Sequence, residues 1–339
     1  MYVAVNCDDN ILNRLGMIEA RVWWKPPGSN DVYSIEESES GTSCFKFEPF
    51  SPSRSYPTIE LKGHVVKSAF PVKGTIEILT EYSSDSTSKD EHFNAVASAI
   101  DKINNGELDK VVVSRVKSIS MGCSPEASFA RKCEAHPDAF VYLLFHPRCG
   151  VWCGATPELL VSASDNRVET VSLAGTRTVD KIKSSPWTSK EHEEQGLVTD
   201  YIENILESHG ATDLRIEPRA ELQYGNLIHL ETRFRCSLKG SLSELAKVLH
   251  PTPAVGGRPM LEACKFISEN ERLNREYFAG YLGVKTASGS AYYVNLRCAK
   301  WMKGGVKLYA GGGIVSGSDI TEEWEETEAK LFAIQETIV

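Results

Sequence analysis

The runs Phe140-Val-Tyr-Leu-Leu-Phe145, Val151-Trp-Cys-Gly-Ala155, Leu159-Leu-Val-Ser-Ala163 and Val168-Glu-Thr-Val-Ser-Leu173 follow one another with only short turn-forming breaks between them. Each is apolar or alternating over a strand's length and is bounded by Gly, Pro, Asn or Asp. Strands joined by so few residues pair antiparallel, because a parallel neighbour needs a crossover of a dozen or more residues. Runs of the same kind recur at Arg21–Trp24, Cys44–Phe47, His64–Phe70, Lys110–Ser118, Leu227–Leu238, Tyr281–Thr286, Ala291–Trp301 and Val306–Ala310. Helices are expected between them at about 125–135, 189–209, 241–249, 259–270 and 319–337, which makes the chain α+β without an internal repeat.

One further helix is signalled clearly. Phe93, Val96, Ala97, Ile100 and Ile103 recur at helical spacing, Ser88 and Glu91 form a capping box, and Gly106 supplies the stop. The Ser-rich stretch Ser83–Asp90 has too little apolar surface to order itself and is expected to be a mobile connection. It separates a strand-rich segment, 1–87, from the more regular 88–339.

The chain has 339 residues, of which 41 % are hydrophobic and 24 % charged, the range of ordinary packed proteins. Its 37 Lys and Arg against 46 Asp and Glu give a net charge of −9 with no basic patch, which argues against nucleic-acid and anionic-membrane partners. Met1–Asn10 carries two aspartates and no apolar core of a leader, and no apolar run approaches the roughly 20 residues that span a bilayer. Nine cysteines, an odd number with no C-x-x-C pair, read as reduced thiols in a cytoplasmic protein.

Two helices carry acids on their inward stripe. Counting back from Val198, Tyr201, Ile202 and Ile205 puts Glu194 and Glu191 on the same face, and Glu323, Glu326 and Lys330 fall in line with Ile334. Such carboxylates are either exposed first-turn acids that complement the helix dipole, or buried groups that ask for a cation. An all-oxygen set would select a hard ion, Mg²⁺ ahead of zinc or calcium.

Leu173-Ala-Gly-Thr-Arg177 and Ala310-Gly-Gly-Gly-Ile314 read as glycine-bearing turns, where backbone N–H groups can approach an anion. Lys110 shares a strand face with Val112, Ser114 and Val116. It is either an edge-strand lysine that blocks aggregation or a buried amine serving as a base. Glu158, at the start of a strand, is a candidate acid to set against it.

Together, Lys110-Val-Val-Val-Ser-Arg115, Gly154-Ala-Thr-Pro-Glu-Leu-Leu160, Ser172-Leu-Ala-Gly-Thr-Arg177, Leu249-His-Pro-Thr-Pro-Ala-Val-Gly-Gly257, Asn295-Leu-Arg-Cys-Ala-Lys300, Leu308-Tyr-Ala-Gly-Gly-Gly-Ile-Val315 and Glu323-Trp-Glu-Glu-Thr327 resemble the chorismate-binding enzymes, in the family's order. Within that family the pattern is most similar to isochorismate synthases, which add water at C2 of chorismate and lose the C4 hydroxyl. The resemblance implies one large α+β unit of two packed, largely antiparallel sheets with helices outside.

Ammonia-using anthranilate synthases typically lack a lysine at the position of Lys110, and aminodeoxychorismate synthases carry a nucleophilic lysine where this chain has Ala174. Salicylate synthases, which go on to eliminate pyruvate, are the alternative. They tend to have Thr and Tyr at Ala254 and Phe278, whereas Leu296 looks more like their pattern. A non-catalytic chorismate-binding protein is the alternative of another class, against which intact Lys110, Glu158 and the four glutamates count.

By resemblance, Lys110 is the general base toward the attacking water and Glu158 the general acid toward the departing hydroxyl, with burial expected to lower the lysine's pKa and raise the glutamate's. Glu194 and Glu326 match direct Mg²⁺ ligands, and Glu191 and Glu323 outer partners. Arg297 matches a grip on the enolpyruvyl carboxylate. Gly175, Thr176, Gly311 and Gly313 match contacts to the anionic ends, with His229 and Lys330 also lining the site. The implied enzyme is a monomer without a glutamine amidotransferase subunit, acting on a small molecule whose product feeds menaquinone or siderophore synthesis.

Overall fold

The computed structural model describes residues 19–339; the readings of Met1–Asn10 and Cys7 lie outside them. In chain order the strands are β1 (Arg21–Lys25), β2 (Val32–Glu37), β3 (Ser43–Glu48), β4 (Ile59–Ser68), β5 (Lys110–Ser120), β6 (Phe140–His146), β7 (Gly150–Thr156), β8 (Leu159–Ser164) and β9 (Arg167–Thr178). They continue with β10 (Thr212–Ile216), β11 (Ala220–Tyr224), β12 (Leu227–Ser237), β13 (Gly257–Arg258), β14 (Tyr281–Lys285), β15 (Ser290–Val294), β16 (Cys298–Met302) and β17 (Gly305–Ile314). The helices are α1 (Lys89–Asn104), α2 (Pro125–Ala135), α3 (Val179–Ser184), α4 (Ser189–Ser208), α5 (Leu242–Leu249), α6 (Met260–Asn270) and α7 (Ile320–Gln335).

Every strand pairing is antiparallel, and the pairings form one path. It runs β13–β5–β17–β16–β7–β6–β1–β2–β4–β3–β14–β15–β8–β9–β12, with β10 and β11 both on β12. The expected two sheets are therefore two layers of a single folded ladder, and β1 to β4 make the bend between them. Phe47 on β3 stacks on Tyr277 at 4.4 Å and meets Tyr142 of β6 and Trp152 of β7 at 5.8 and 6.0 Å, so the aromatic core lies between the layers.

The period of two in β6 divides its side chains between two environments. Tyr142 and Leu144 enter the inter-layer core, and Val141, Leu143 and Phe145 face the outer core that includes Phe129 of α2 and Leu331 of α7. A strand covered on both faces needs no polar alternation, which is why this one reads as a continuous apolar run. Trp152, fully buried on β7, satisfies its indole N–H on the Cys149 carbonyl at 3.0 Å.

Several expectations are corrected. Ala291–Trp301 is two strands, because the chain breaks at Asn295–Arg297, with Arg297 left-handed at φ 51. The side chain of Asn295 fixes that break, accepting from Tyr142 Oη at 2.7 Å and donating to the Tyr277 carbonyl at 2.7 Å. The two glycine turns are strand interiors: β9 continues to Thr178 past an unpaired Gly175 at φ 71, and β17 stays paired with β5 as far as Ile314. Ser83–Asp90 is fastened along β5, where Ser118 N donates to Ser86 Oγ at 2.9 Å and Thr87 N to the Val116 carbonyl at 3.0 Å.

The capping box of Ser88 and Glu91 forms as read, and Gly106 takes up the positive φ that ends α1. The eight cysteines in the described region are free thiols, and none of its helices is long and apolar enough to cross a membrane.

Candidate active site

The site lies where the two terminal stretches of the ladder, β5–β17 and β9–β12, approach one another under α4 and α7. A cavity there is lined by Glu158, Gly175, Thr176, Glu194 and His229, by Ala254, Phe278, Leu296 and Arg297, and by Gly311, Gly313 and Lys330. Twelve residues singled out in the sequence thus share one space. Lys110, Glu191, Glu323 and Glu326 stand around it rather than on its wall.

Lys110 opens β5 and has no exposed surface; its Nζ donates to Glu194 Oε1 at 3.1 Å. The edge-strand reading therefore fails. Lys110 is a buried amine and one half of an ion pair. Glu158 is 3 % exposed, and burial pushes its carboxyl up to about 8 against the opposing charges of Lys110, Lys330 and Arg297. At neutral pH it carries its proton.

His229 bridges two partners. Arg297 Nη2 lies 3.1 Å from Nε2, and Thr176 Oγ1 lies 3.0 Å from Nδ1. A guanidinium can only donate, so Nε2 is the acceptor and Nδ1 carries the hydrogen. Burial, and then the charge of Arg297, hold the ring well below its usual pKa, so it is a neutral imidazole. Thr176 Oγ1 then accepts from His229, which leaves its own O–H free for a ligand. Arg297 Nη1 is buried without any partner. An unpaired guanidinium N–H at a cavity wall is a built receptor for a carboxylate.

The Leu249–Gly257 block sets the opposite wall. His250 donates from Nε2 to the Ala279 carbonyl at 2.9 Å, which brings Ala254 beside Phe278. Tyr309, which the sequence reading passed over, backs Phe278 at 5.5 Å and donates to Glu276 at 3.1 Å.

Of the four inward glutamates, three keep lysine company: Glu194 with Lys110, Glu326 with Lys330 at 2.7 Å, and Glu323 with Lys190 at 2.5 Å. Glu191 has no lysine partner and is held by an arginine and a threonine instead. Its Oε1 accepts from Arg177 at 2.7 Å, and its Oε2 accepts from Thr188 N and Oγ1 in a capping box. Burial raises its carboxyl, but the bonds from Thr188 and Arg177 outweigh that and leave it low. Lys190 and Arg177 were missed as site residues. The signal for Lys190 was its place one helical turn before Glu194.

Among the described residues no ready-made group of three ligands surrounds one point, because lysines stand between the carboxylates. Three features nevertheless suit a hard divalent ion. Glu323 Oε2 is buried and unpartnered. Burial and the neighbouring Glu326 push the Glu323 carboxyl up, the mark of negative charges crowded together. The missing side chains of β17 make the room: a Cβ on Gly313 would sit 2.1 Å from Glu194 Oε1, and one on Gly312 would sit 2.8 Å from Glu323 Oε2. Carboxylate oxygens alone select Mg²⁺-like cations.

The chain is similar to known proteins in sequence and in fold. Escherichia coli (strain K12) "Isochorismate synthase EntC" is 31 % identical over 239 residues, which cover 66 % of this chain and 61 % of that protein. The chain thus spans about three-fifths of that relative's length. The fold matches "MenF, the Menaquinone-Specific Isochorismate Synthase from Escherichia Coli" with a TM-score of 0.79 at 21 % identity, over 94 % of this chain and 89 % of that one. It also matches anthranilate synthase component I from Streptococcus pneumoniae TIGR4, TM-score 0.69 at 17 % identity, over 94 % and 92 % of the two chains. Fold alone does not separate those activities. The family model "Chorismate binding enzyme" matches residues 65–339, most of the length, and the chain belongs to that family.

Proposed function

We propose that the chain is an Mg²⁺-dependent isochorismate synthase. The observation that carries this reading is the pairing, at one cavity, of a carboxyl that keeps its proton up to about pH 8 with a buried lysine near enough for its charge to act on that carboxyl. An acid and a base held at one site are what a hydroxyl migration by water addition needs.

In this reading the free N–H of Arg297 and the hydroxyl of Thr176 receive the anionic ends of chorismate, and Phe278 and Ala254 bound its ring. Lys110, once parted from Glu194 and its own ammonium proton lost to solvent, takes a proton from water as oxygen bonds to C2. The ring double bonds shift, and Glu158 delivers its proton to the C4 oxygen, which departs as water. Glu194, Glu326 and Glu323 would hold the cation. When bound, it supplies the positive charge that lets an acidic pocket accept a dianion and that frees lysines from their carboxylates.

Aromatic Phe278 and small Ala254 favour release of isochorismate over pyruvate elimination. The test is incubation of the purified protein with chorismate, with and without Mg²⁺, followed by chromatography. Isochorismate formed only with the metal supports the proposal. Salicylate with pyruvate would replace it by a salicylate synthase, and an unchanged substrate by a binding protein.

A further inference from the structure

Beside the substrate cavity, and sharing Thr176 with it, lies a second cavity bounded by Lys181, Lys190, Glu322, Glu325 and Glu326. The three lysines that meet inward glutamates differ in their freedom. Lys110 is sealed behind the first cavity, and Lys330 is pinned by the Gly311 carbonyl at 2.9 Å as well as by Glu326. The ammonium of Lys190 meets only Glu323 Oε1 among the described residues, at 2.5 Å, and it borders open space. Glu323 is 1 % exposed; its Oε1 also accepts from Ser318 Oγ at 2.8 Å, and its Oε2 has no partner. Across the second cavity stand Glu322, paired with Lys181 at 3.3 Å, and the exposed Glu325.

We propose that Lys190 is an exchangeable counter-ion. It occupies Glu323 while no divalent cation is present and withdraws across the second cavity toward Glu325 when one binds. The inference rests on the reading of the glutamates as a cation site. A buried carboxylate without a counter-charge is costly, so the metal-free protein needs Lys190 where it is. A divalent ion among Glu194, Glu323 and Glu326 would repel an ammonium at contact distance from Glu323, so the two occupancies exclude each other. Mutual exclusion is a coupling: Lys190 weakens cation binding by as much as the cation weakens the Lys190–Glu323 pair.

The test is calorimetric titration of Mg²⁺ into metal-free protein, with thermal melting in the absence and presence of the metal. Lys190→Met is expected to bind Mg²⁺ about tenfold more tightly than the parent. It should melt lower without metal and recover the parent's melting temperature when saturated. Lys190→Arg should keep the parent's metal-free melting temperature. Glu325→Gln should leave metal-free melting unchanged and weaken Mg²⁺ binding, because the lysine loses its refuge. Equal or weaker binding by Lys190→Met, with normal binding by the parent, overturns the counter-ion role alone. Absence of Mg²⁺ binding by the parent, matched by Glu326→Gln, overturns the cation reading and this inference with it.

Discussion

Lys110 and Glu194 are 84 positions apart in sequence and 3.1 Å apart in space, the first on β5 and the second on α4. The contact ties the strand to the helix beside the cavity that Glu158 and Glu194 line. Replacing Lys110 by Met removes the proposed base while keeping most of the side chain's volume. Turnover of chorismate should fall by about 10² to 10⁴-fold, the usual worth of a positioned proton-transfer group. Full activity in a product assay would exclude Lys110 as base.

Glu158 gives a pH signature. Its carboxyl titrates near 8 instead of 4.5, so the acid form prevails below that value and is lost above it. The rate kcat/KM should decline as pH rises through about 8. Glu158→Gln should abolish turnover at every pH. Because the folded protein holds this proton more tightly than the unfolded chain, the stabilisation it gives is complete below pH 4.5 and is lost as pH rises through about 8. Above pH 8 Glu158→Gln should therefore melt higher than the parent, and a lower melting point there would contradict the burial argument.

Arg297→Lys keeps the charge but loses the planar fork that serves His229 and a carboxylate at once. We expect KM for chorismate to rise by about tenfold, near 1.4 kcal/mol, with a smaller change in kcat. Steady-state kinetics separate the two, and an unchanged KM would remove Arg297 from substrate binding.

Gly313→Ala forces a methyl into the space of the Glu194 carboxylate, 2.1 Å away. It should abolish activity and Mg²⁺ binding together. Gly304→Ala is the control: it meets nothing but sits at φ 76, so it should cost about 1 kcal/mol of stability and leave the kinetics alone. Kinetics and denaturant melts of both proteins decide. An active Gly313→Ala would mean that the close approach of β17 is incidental.

Much of this arrangement was legible because its causes are local. The apolar runs of β6 to β9 and the acidic stripes of α4 and α7 announce themselves by period, and the structure buries Glu194 and Glu323 as the stripes imply. Other features have distant causes. The break at Asn295–Arg297 interrupts a pattern that alternates well enough for a strand, and it is imposed by Tyr142 and Tyr277. Glycines 312 and 313 look like turn residues but serve as places without side chains, which only the neighbouring carboxylates of Glu323 and Glu194 explain. β10 and β11 escaped notice because they are largely exposed and carry little apolar signal. The serines ahead of α1 are ordered by backbone pairing with β5, a force that composition does not report.

The pairing of β5 with β17 also governs how the protein is made. Arg115 on β5 reaches Thr327 on α7, 212 positions later, so at ordinary synthesis rates β5 waits on the order of ten to forty seconds for its partners. During that interval a strand that carries the apolar run Val111–Val113 stands with an open edge, the part of a nascent chain most prone to mispairing. The catalytic cavity is therefore the last region to close as the chain leaves the ribosome, and production of active protein should respond to translation speed and to chaperones that shield strand edges.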